Sequence, residues 1–315
     1  MPTTPTRERA LELVDASPAC VARHDKDAWL ALFTEGAVVE DPVGSAPHRK
    51  GAGRRGHPPD DELGRFWDTF IAPNDIRFEV REDIVAGREV ARDVLIHTRL
   101  STGLELTVPS HLLYQLAGEA GALRIGRLAA HWELPRMSLQ ALRGGGRGLA
   151  TMARLSLRML RIQGLAGTLG YSRGMVDGVG RRGRDVVESV ASAVAARDEG
   201  ALAALFSGPG AEVEHPVDRS PDAPGEDGAT AAPGRVSPAR WLASLPAGAR
   251  LSAADVTPAG WSVSFRFELA ARGRRERGLA FLRLDRTSGR VASARFFVSE
   301  EPGADSRVDP GRAPR

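Results

Sequence analysis

A short motif that occurs twice constrains the fold more than any other feature of this sequence. In each copy, a helix-like segment precedes a strand-like segment, and a proline ends the strand because it lacks an amide hydrogen. The strand ends at Asp41-Pro42 in the first copy and at His215-Pro216 in the second. This repeat predicts two copies of one fold, and 315 residues are enough for two domains that each bury a core. The paired segments are 25–33 and 39–43 in the first copy, and 198–206 and 213–217 in the second.

Composition excludes several classes of protein. Hydrophobic residues make up 42% of the chain and charged residues 26%, as in a water-soluble globular protein. The net charge is only +3, and the arginines are mostly interleaved with acidic residues, so no nucleic-acid partner is predicted. Cys20 is the single cysteine, which excludes an intramolecular disulfide. The sequence shows neither an apolar signal core nor a run of ~18 apolar residues, and a cytoplasmic protein is expected.

Residues 1–136 have the pattern of an α+β domain. Helical spacing covers 7–33 and 61–71, and segments rich in Val, Ile, Leu and Thr follow, separated by short turns. Helices followed by an antiparallel meander are typical of an α+β fold. We expect the helices to lie on the concave side of a bent sheet and to leave a conical cavity for a small ligand. The strand-like segments are 76–80, 84–85, 90–100, 104–116 and 123–134.

Residues 137–184 differ in composition and are predicted to form a basic helical linker. They contain nine arginines and one acid, Asp177. The arginines at 143, 147, 154, 158 and 161 fall on one helical face, and Met152, Leu155, Met159, Leu160 and Ile162 cover the opposite side. Three alternatives fit this pattern: residues 143–162 lie on an anionic membrane surface, the helix packs across two domains, or it caps a pocket. Glycines at 144–146 and 164 would let the linker hinge.

The first pattern returns in 185–302, which predicts a second domain. Val186, Val187, Val190 and Val194 mark a helix, and strict alternation over 261–269 predicts a half-buried strand. Because His215 replaces the carboxylate of Asp41, this domain is expected to be a structural or binding partner. The two copies would form an internal pseudo-dimer, or two chains would pair as a homodimer. Residues 303–315 are polar and are predicted to be a disordered tail.

The first domain resembles the steroid Δ-isomerase (ketosteroid isomerase) branch of the NTF2-like, or SnoaL-like, superfamily. The resemblance covers most of 10–135, and its most specific part is the string Glu40-Asp41-Pro42-Val43-Gly44-Ser45. The remaining matches are the helix end Ala31-Leu32-Phe33, the helix with Phe66–Phe70 and the strand Pro109-Ser110-His111. The second domain resembles only the superfamily.

This resemblance implies a cone-shaped α+β barrel with an apolar pocket and no cofactor. It implies that Asp41 is the general base, which moves a proton between two carbons of a ketosteroid. Such isomerases stabilise the enolate with a tyrosine and a protonated aspartate. Here Ser17 and a position at or next to Ser110 stand where those two donors are expected, so this sequence departs from the family pattern.

Two histidines are further catalytic candidates. By the same resemblance, His97 and His131 fall at positions of aromatic pocket residues. One aspartate and two histidines in such a pocket also resemble the dehydratase branch, as in scytalone dehydratase, where they carry out acid–base elimination. The alternative is that the histidines point outward or are hydrogen-bonded in the core. Asp41, His97 and His131 would also suit a two-His, one-carboxylate metal site, but their spacing does not require one, and no metal is predicted.

Other residues are predicted to shape the pocket. Tyr114 shares the strand parity of Ser110, whereas His111 should face the other side and be structural or interfacial. Trp67 and Phe70 would line the cavity or fill the core, and His48, Arg49, Arg54, Arg55 and His57 form a basic loop. We therefore expect an isomerase or lyase that binds a small, hydrophobic carbonyl compound, steroid- or polyketide-like. The alternative is a non-catalytic ligand-binding or scaffold protein.

Overall fold

A computed structural model describes residues 4–51, 61–118, 120–217 and 234–300. The predicted tail at 303–315 and the loop residues Arg54, Arg55 and His57 lie outside the described residues. Within them, the chain is a mixed α+β protein with two sheets. The helices of the first half are α1 (Arg7–Ala22), α2 (Lys26–Ala31) and α3 (Glu62–Phe66), and α3 continues into a π-helical turn at Trp67–Ile71. Its strands are β1 (Phe33–Glu40), β2 (His48–Arg49), β3 (Asp75–Ala86), β4 (Glu89–Arg99), β5 (Glu105–Ala117) and β6 (Arg124–His131).

The first sheet has the strand order β2-β1-β6-β5-β4-β3. Strands β3 to β6 form the predicted antiparallel meander, whereas β1 runs parallel to β6 with Glu40 opposite Ala129. This pairing brings the end of β1, and so Asp41, next to the chain that leaves β6. Helix α1 runs unbroken through Pro18, and Asp25 caps α2 by accepting a hydrogen bond from the Ala28 amide.

Strand β4 carries a buried charged residue, Arg92. The Arg92 side chain is 1% exposed and donates to both carboxylate oxygens of its cross-strand partner Asp83 at 2.7 and 2.8 Å. A third hydrogen bond, 2.5 Å long, reaches Asp15 on α1. These contacts tie α1 to β3 and β4, the first two strands of the meander.

Three helices follow the first sheet: α4 (Leu134–Arg143), α5 (Gly146–Ile162) and α6 (Gly164–Val176). They pack on the first half, because Met137, Leu155, Met159 and Tyr171 join its hydrophobic core. Thr102, at the β4–β5 turn, and Thr151 on α5 share a hydrogen bond of 2.5 Å between their hydroxyls. Of the three arrangements expected for this basic segment, these contacts support the one in which it covers a pocket. No helix in the described ranges is long and apolar enough to cross a membrane.

In the described residues, the second half has three helices and a five-stranded sheet. Its helices are α7 (Gly180–Ala196), α8 (Glu199–Leu205) and α9 (Pro238–Ser244). Its sheet has the order β7-β11-β10-β9-β8, with β7 again parallel to the last strand. The strands are β7 (Glu212–Glu214), β8 (Arg250–Ala259), β9 (Ser262–Ala271), β10 (Arg274–Leu284) and β11 (Val291–Val298). The peptide bonds Asp41-Pro42 and His215-Pro216 are both cis.

The outer faces of the two sheets pack on each other. Ala91, Leu113 and Ala129 of the first sheet share one buried cluster with Leu279, Phe281 and Phe297 of the second. At the edge of this interface, Gly44 and Gly260 have φ angles of 99° and 52°, and a Cβ added to Gly44 would lie 2.4 Å from the Gly260 Cα. Only glycine permits this approach, so the loop after Asp41 rests on the backbone of the second half.

Candidate active site

A cavity of about 180 Å³ lies in the first half, between the first sheet, helices α1 to α3, and helices α4 to α6. Most of its lining is apolar. Val39, Phe66, Phe78, Ile96, Leu112 and Leu155 are representative lining residues. The turn at Leu100–Thr102 and the α5 residues Thr151 and Arg154 also border it. Such an apolar cavity with a few polar groups is the usual form of a small-molecule site.

Asp41 faces this cavity from the end of β1. Trp132, one residue beyond β6, donates its Nε1–H to the Asp41 Oδ1 at 2.5 Å. Burial raises the pKa of Asp41 to about 6, although the Trp132 hydrogen bond opposes the rise. A carboxylate with a pKa near neutrality is suited to accept a proton from carbon and to return it, because both of its protonation states are accessible.

Both tyrosines of the protein lie in the same cavity. Tyr114 on β5 and Tyr171 on α6 are buried and line it. Burial raises the pKa of Tyr114 to about 12, and the negative charges of Asp83, Asp15 and Asp41 add to the rise. Burial raises the pKa of Tyr171 as well, again with a contribution from Asp41. Both phenols therefore keep their protons at neutral pH and are available as hydrogen-bond donors.

Ser17 and Ser110 also line the cavity. The Ser17 hydroxyl accepts a hydrogen bond from the Trp29 indole at 3.0 Å, and the Ser110 hydroxyl donates to the Val108 carbonyl at 3.3 Å. Both serines thus have partners within the protein. The Ser17 O–H proton remains free to donate, and the two phenols are further donors in this cavity.

The two predicted aromatic residues have different positions. Phe70 lines the cavity and stacks on Tyr171, with ring centroids 5.0 Å apart. Trp67 is buried in the core and packs against Trp29, with centroids 5.3 Å apart. Trp67 therefore does not line the cavity and fills the core, which is the other alternative given for it.

The expectation that His97 and His131 would face the cavity is also corrected. Ile96 and Thr98 line the cavity, so His97 between them points to the other side of β4. Its ring nitrogens contact Thr107 Oγ1 at 3.1 Å and Glu79 Oε2 at 3.0 Å.

His131 also points away from the cavity. Its neighbours Ala130 and Trp132 line the cavity, so the side chain between them lies on the other side of the sheet. Its Nε2 lies 3.2 Å from the Ser262 hydroxyl of the second half, and its ring contacts Phe281. Asp41, His97 and His131 therefore do not converge. No group of three or more His, Cys, Asp or Glu side chains in the described ranges is placed to hold a metal ion.

His48, His111 and His215 pack within the protein. His111 faces away from the cavity, as its parity predicts, and its Nδ1 lies 2.8 Å from the Ser264 hydroxyl at the interface. His48 packs on Phe66, and burial lowers its pKa to about 4. His215, the counterpart of Asp41, is enclosed by Trp241, Phe267 and Phe296. The core of the second half thus fills the space around His215 with aromatic rings.

The sequence of the first half matches the model of the SnoaL-like domain over residues 14–123. These residues form a SnoaL-like domain. This match confirms the predicted resemblance of the first half to the SnoaL-like superfamily. No curated protein has significant sequence similarity to the chain.

Several solved structures are similar to this chain. A Mycobacterium tuberculosis protein in complex with estradiol-17β-hemisuccinate is 26% identical, with 41% of this chain and 96% of that chain covered and a TM-score of 0.34. The Δ5-3-ketosteroid isomerase from Mycobacterium sp. is 27% identical, with 39% and 92% covered and a TM-score of 0.33. A computationally designed 17-OHP binder is 24% identical, with 41% and 95% covered and a TM-score of 0.34.

The raised pKa of Asp41 predicts that Asp41→Asn stabilises the SnoaL-like domain. A carboxyl with a higher pKa in the folded than in the unfolded chain destabilises the folded state once it ionises. The penalty is absent below about pH 4 and complete above about pH 6. We expect the variant to gain about 3 kcal/mol of unfolding free energy at neutral pH and little at pH 4.

Urea denaturation at the two pH values measures this gain. Asp27→Asn, on the exposed side of α2, is the control and should change stability little at either pH. An equal gain for Asp41→Asn at both pH values would contradict the ionisation argument.

Proposed function

We propose that the SnoaL-like domain is a cofactor-independent isomerase or lyase that acts on a small, hydrophobic carbonyl compound. The observation that carries this proposal is the placement of Asp41, with a pKa of about 6, in an apolar cavity with two protonated tyrosines. Asp41 is the base, and Tyr114 and Tyr171 donate hydrogen bonds to the carbonyl oxygen. The similarity of the domain to ketosteroid isomerases supports a steroid- or polyketide-like substrate.

The reaction begins when the Asp41 carboxylate takes a proton from the carbon next to the carbonyl group. The electron pair of the broken C–H bond moves into the carbonyl system, and negative charge collects on the oxygen. Hydrogen bonds from neutral phenols stabilise that charge in a low-dielectric cavity. The protonated Asp41 then returns the proton to a different carbon, which gives an isomer, or to a leaving group, which gives an elimination.

The size of the cavity limits the substrate. Its volume of about 180 Å³ is below the ~300–1,000 Å³ of most drug-sized ligand sites. The cavity as it stands suits a compact carbonyl compound, and a steroid-sized substrate would require helices α4 to α6 to move outward.

The second candidate function is non-catalytic ligand binding. The observation that favours it is that Ser17 and Ser110 replace the expected tyrosine and aspartate, and that the Ser110 hydroxyl already donates to the Val108 carbonyl. A binder of this kind would keep the apolar cavity and quench its tryptophan fluorescence on ligand binding without turnover.

Turnover of β,γ-unsaturated ketones into conjugated enones, followed by ultraviolet absorbance, separates the two functions. We expect Tyr171→Phe to lower kcat by ~10²–10³-fold, the usual effect of removing one donor to a developing oxyanion. Ser172→Ala, next to it on the exposed side of α6, is the matched control and should leave kcat unchanged. Tight binding of the ketones with no turnover would instead identify a binding protein.

We also infer that the chain contains two NTF2-like copies, with the proposed boundaries 1–136 and 185–302, joined by 137–184. The parallel pairing of β1 with β6 and of β7 with β11 supports a common topology. The buried cluster between the two sheets supports an internal pseudo-dimer. In this arrangement the second copy covers the outer face of the first sheet.

A further inference from the structure

Helices α4, α5 and α6 carry most of the large hydrophobic residues that are exposed in the described part of the chain. Of the ten large hydrophobic residues that are exposed among the described residues, nine lie between 139 and 176, and Val80 is the other. Leu165 is 66% exposed and Val176 is 86% exposed. The full set in this segment is Leu139, Leu142, Leu149, Leu157, Leu160, Leu165, Leu169, Met175 and Val176. Such a concentration of leucines on neighbouring helices points to a partner.

The exposed leucines form a stripe on each of the two longer helices. At about 100° per residue, Leu149, Leu157 and Leu160 fall within an arc of about 80° on α5. This arc lies opposite the buried Thr151 and Met159, which face the SnoaL-like domain. Leu160 therefore belongs to the outer side of α5, although the sequence pattern grouped it with the apolar face that packs inward. On α6, exposed leucines at 165 and 169 and Val176 fall within about 40°.

Arginines border the leucine stripe of α5. Arg147, Arg154 and Arg161 are exposed, are spaced by seven residues, and lie within about 40° of one another beside the leucines. None of the three has a carboxylate partner among the described residues. Residues 134–176 contain seven arginines and no acidic residue. The segment thus combines an apolar stripe with an unneutralised positive charge.

We propose that α5 and α6 dock on the surface of an anionic phospholipid membrane. The leucines would enter the interfacial region, and the arginines would bind lipid phosphates, as in amphipathic helices that lie in the membrane plane. A second copy of the chain fits less well. A symmetric contact through this surface would bring like-charged arginines together. This proposal goes beyond the proposed function and does not depend on it.

Docking in this orientation has a consequence for the cavity. Thr151 and Arg154 of α5 border the cavity next to the β4–β5 turn. The membrane-facing helix is therefore also the cover of the hydrophobic site. A ligand dissolved in the bilayer would reach the site without crossing bulk water.

Co-sedimentation of the full-length protein with lipid vesicles tests the proposal. We expect binding to mixed phosphatidylcholine–phosphatidylglycerol vesicles, at least tenfold weaker binding to phosphatidylcholine alone, and weakening with salt. The triple variant Leu149→Gln, Leu157→Gln, Leu160→Gln should bind the anionic vesicles at least ~100-fold more weakly. Arg147→Gln with Arg161→Gln should weaken binding about 25-fold, since each arginine contributes about fivefold.

Matched controls use residues outside this surface. Val80→Gln removes the one large hydrophobic residue that is exposed elsewhere in the described ranges, and Arg250→Gln with Arg274→Gln removes two exposed charges of the second half. Both controls should bind as the unmodified protein does. Equal binding to neutral and anionic vesicles, or unchanged binding by the leucine variant, would overturn the proposal. So would an absence of vesicle binding together with a dimer in analytical ultracentrifugation that the leucine variant converts to monomers.

Discussion

Asp41→Asn should lower kcat by ~10²–10⁴-fold, the usual contribution of a positioned general base. The amide keeps the shape of the side chain and an oxygen that accepts from the Trp132 indole, but it cannot take a proton from carbon. Ligand affinity should change little, because the lining of the cavity is unaltered. Isomerisation of a β,γ-unsaturated ketone measures kcat, and quenching of tryptophan fluorescence measures the Kd.

The pH dependence provides an internal check on the same residue. Because the base must be ionised, kcat/KM of the unmodified protein should rise with pH through about 6 and level off above it. The residual activity of Asp41→Asn should lack this rise. A variant that retains full activity, or a profile that is flat between pH 5 and 8, would remove Asp41 from the mechanism.

Arg92→Met should destabilise the protein by about 3–5 kcal/mol, since it leaves a buried carboxylate without its cation. Arg92 holds both oxygens of Asp83, whose side chain is 16% exposed, and also Asp15. Arg99→Met on the same strand is the matched control. Its side chain is 67% exposed and lies 3.9 Å from Glu105, so its loss should cost at most about 0.5 kcal/mol.

A second variant separates the lost ion pair from a packing defect. Replacing both partners, as Arg92→Met with Asp83→Leu, removes the unpaired charge and should recover most of the lost stability. Urea denaturation gives the free energy of unfolding for each variant. A loss below about 1 kcal/mol for Arg92→Met, or a double variant no more stable than the single one, would contradict the buried-pair argument.

Local patterns were enough to predict part of the site. Asp41 was identifiable because its strand, proline and neighbouring string form one continuous segment. Tyr114 followed from strand parity with Ser110. The resemblance, by contrast, placed His97 and His131 in the pocket wrongly, because an alignment error of one residue reverses the side of the sheet. Their neighbours Thr98 and Trp132 occupy the cavity instead.

Features that depend on tertiary packing could not be predicted from the sequence. Tyr171 reaches the cavity only because α6 folds back over the first half, and the one available signal was that the chain has just two tyrosines. The Arg92–Asp83 pair depends on the register of β3 and β4, which no motif marks. Helix α9 did carry a start signal that was missed, because Ser237 accepts from the Arg240 amide and Pro238 follows it.

The segment that matches the SnoaL-like domain does not include all of the residues that surround Asp41. The match ends at residue 123, whereas the indole that holds the carboxylate is at Trp132 and the second phenol is at Tyr171. A gene segment bounded by the match would encode the base without half of its surroundings. Recombination could therefore transfer this site to another protein intact only if the exchanged piece extended through α6. In this chain, the segment that specifies the family fold is therefore shorter than the segment that specifies the complete site.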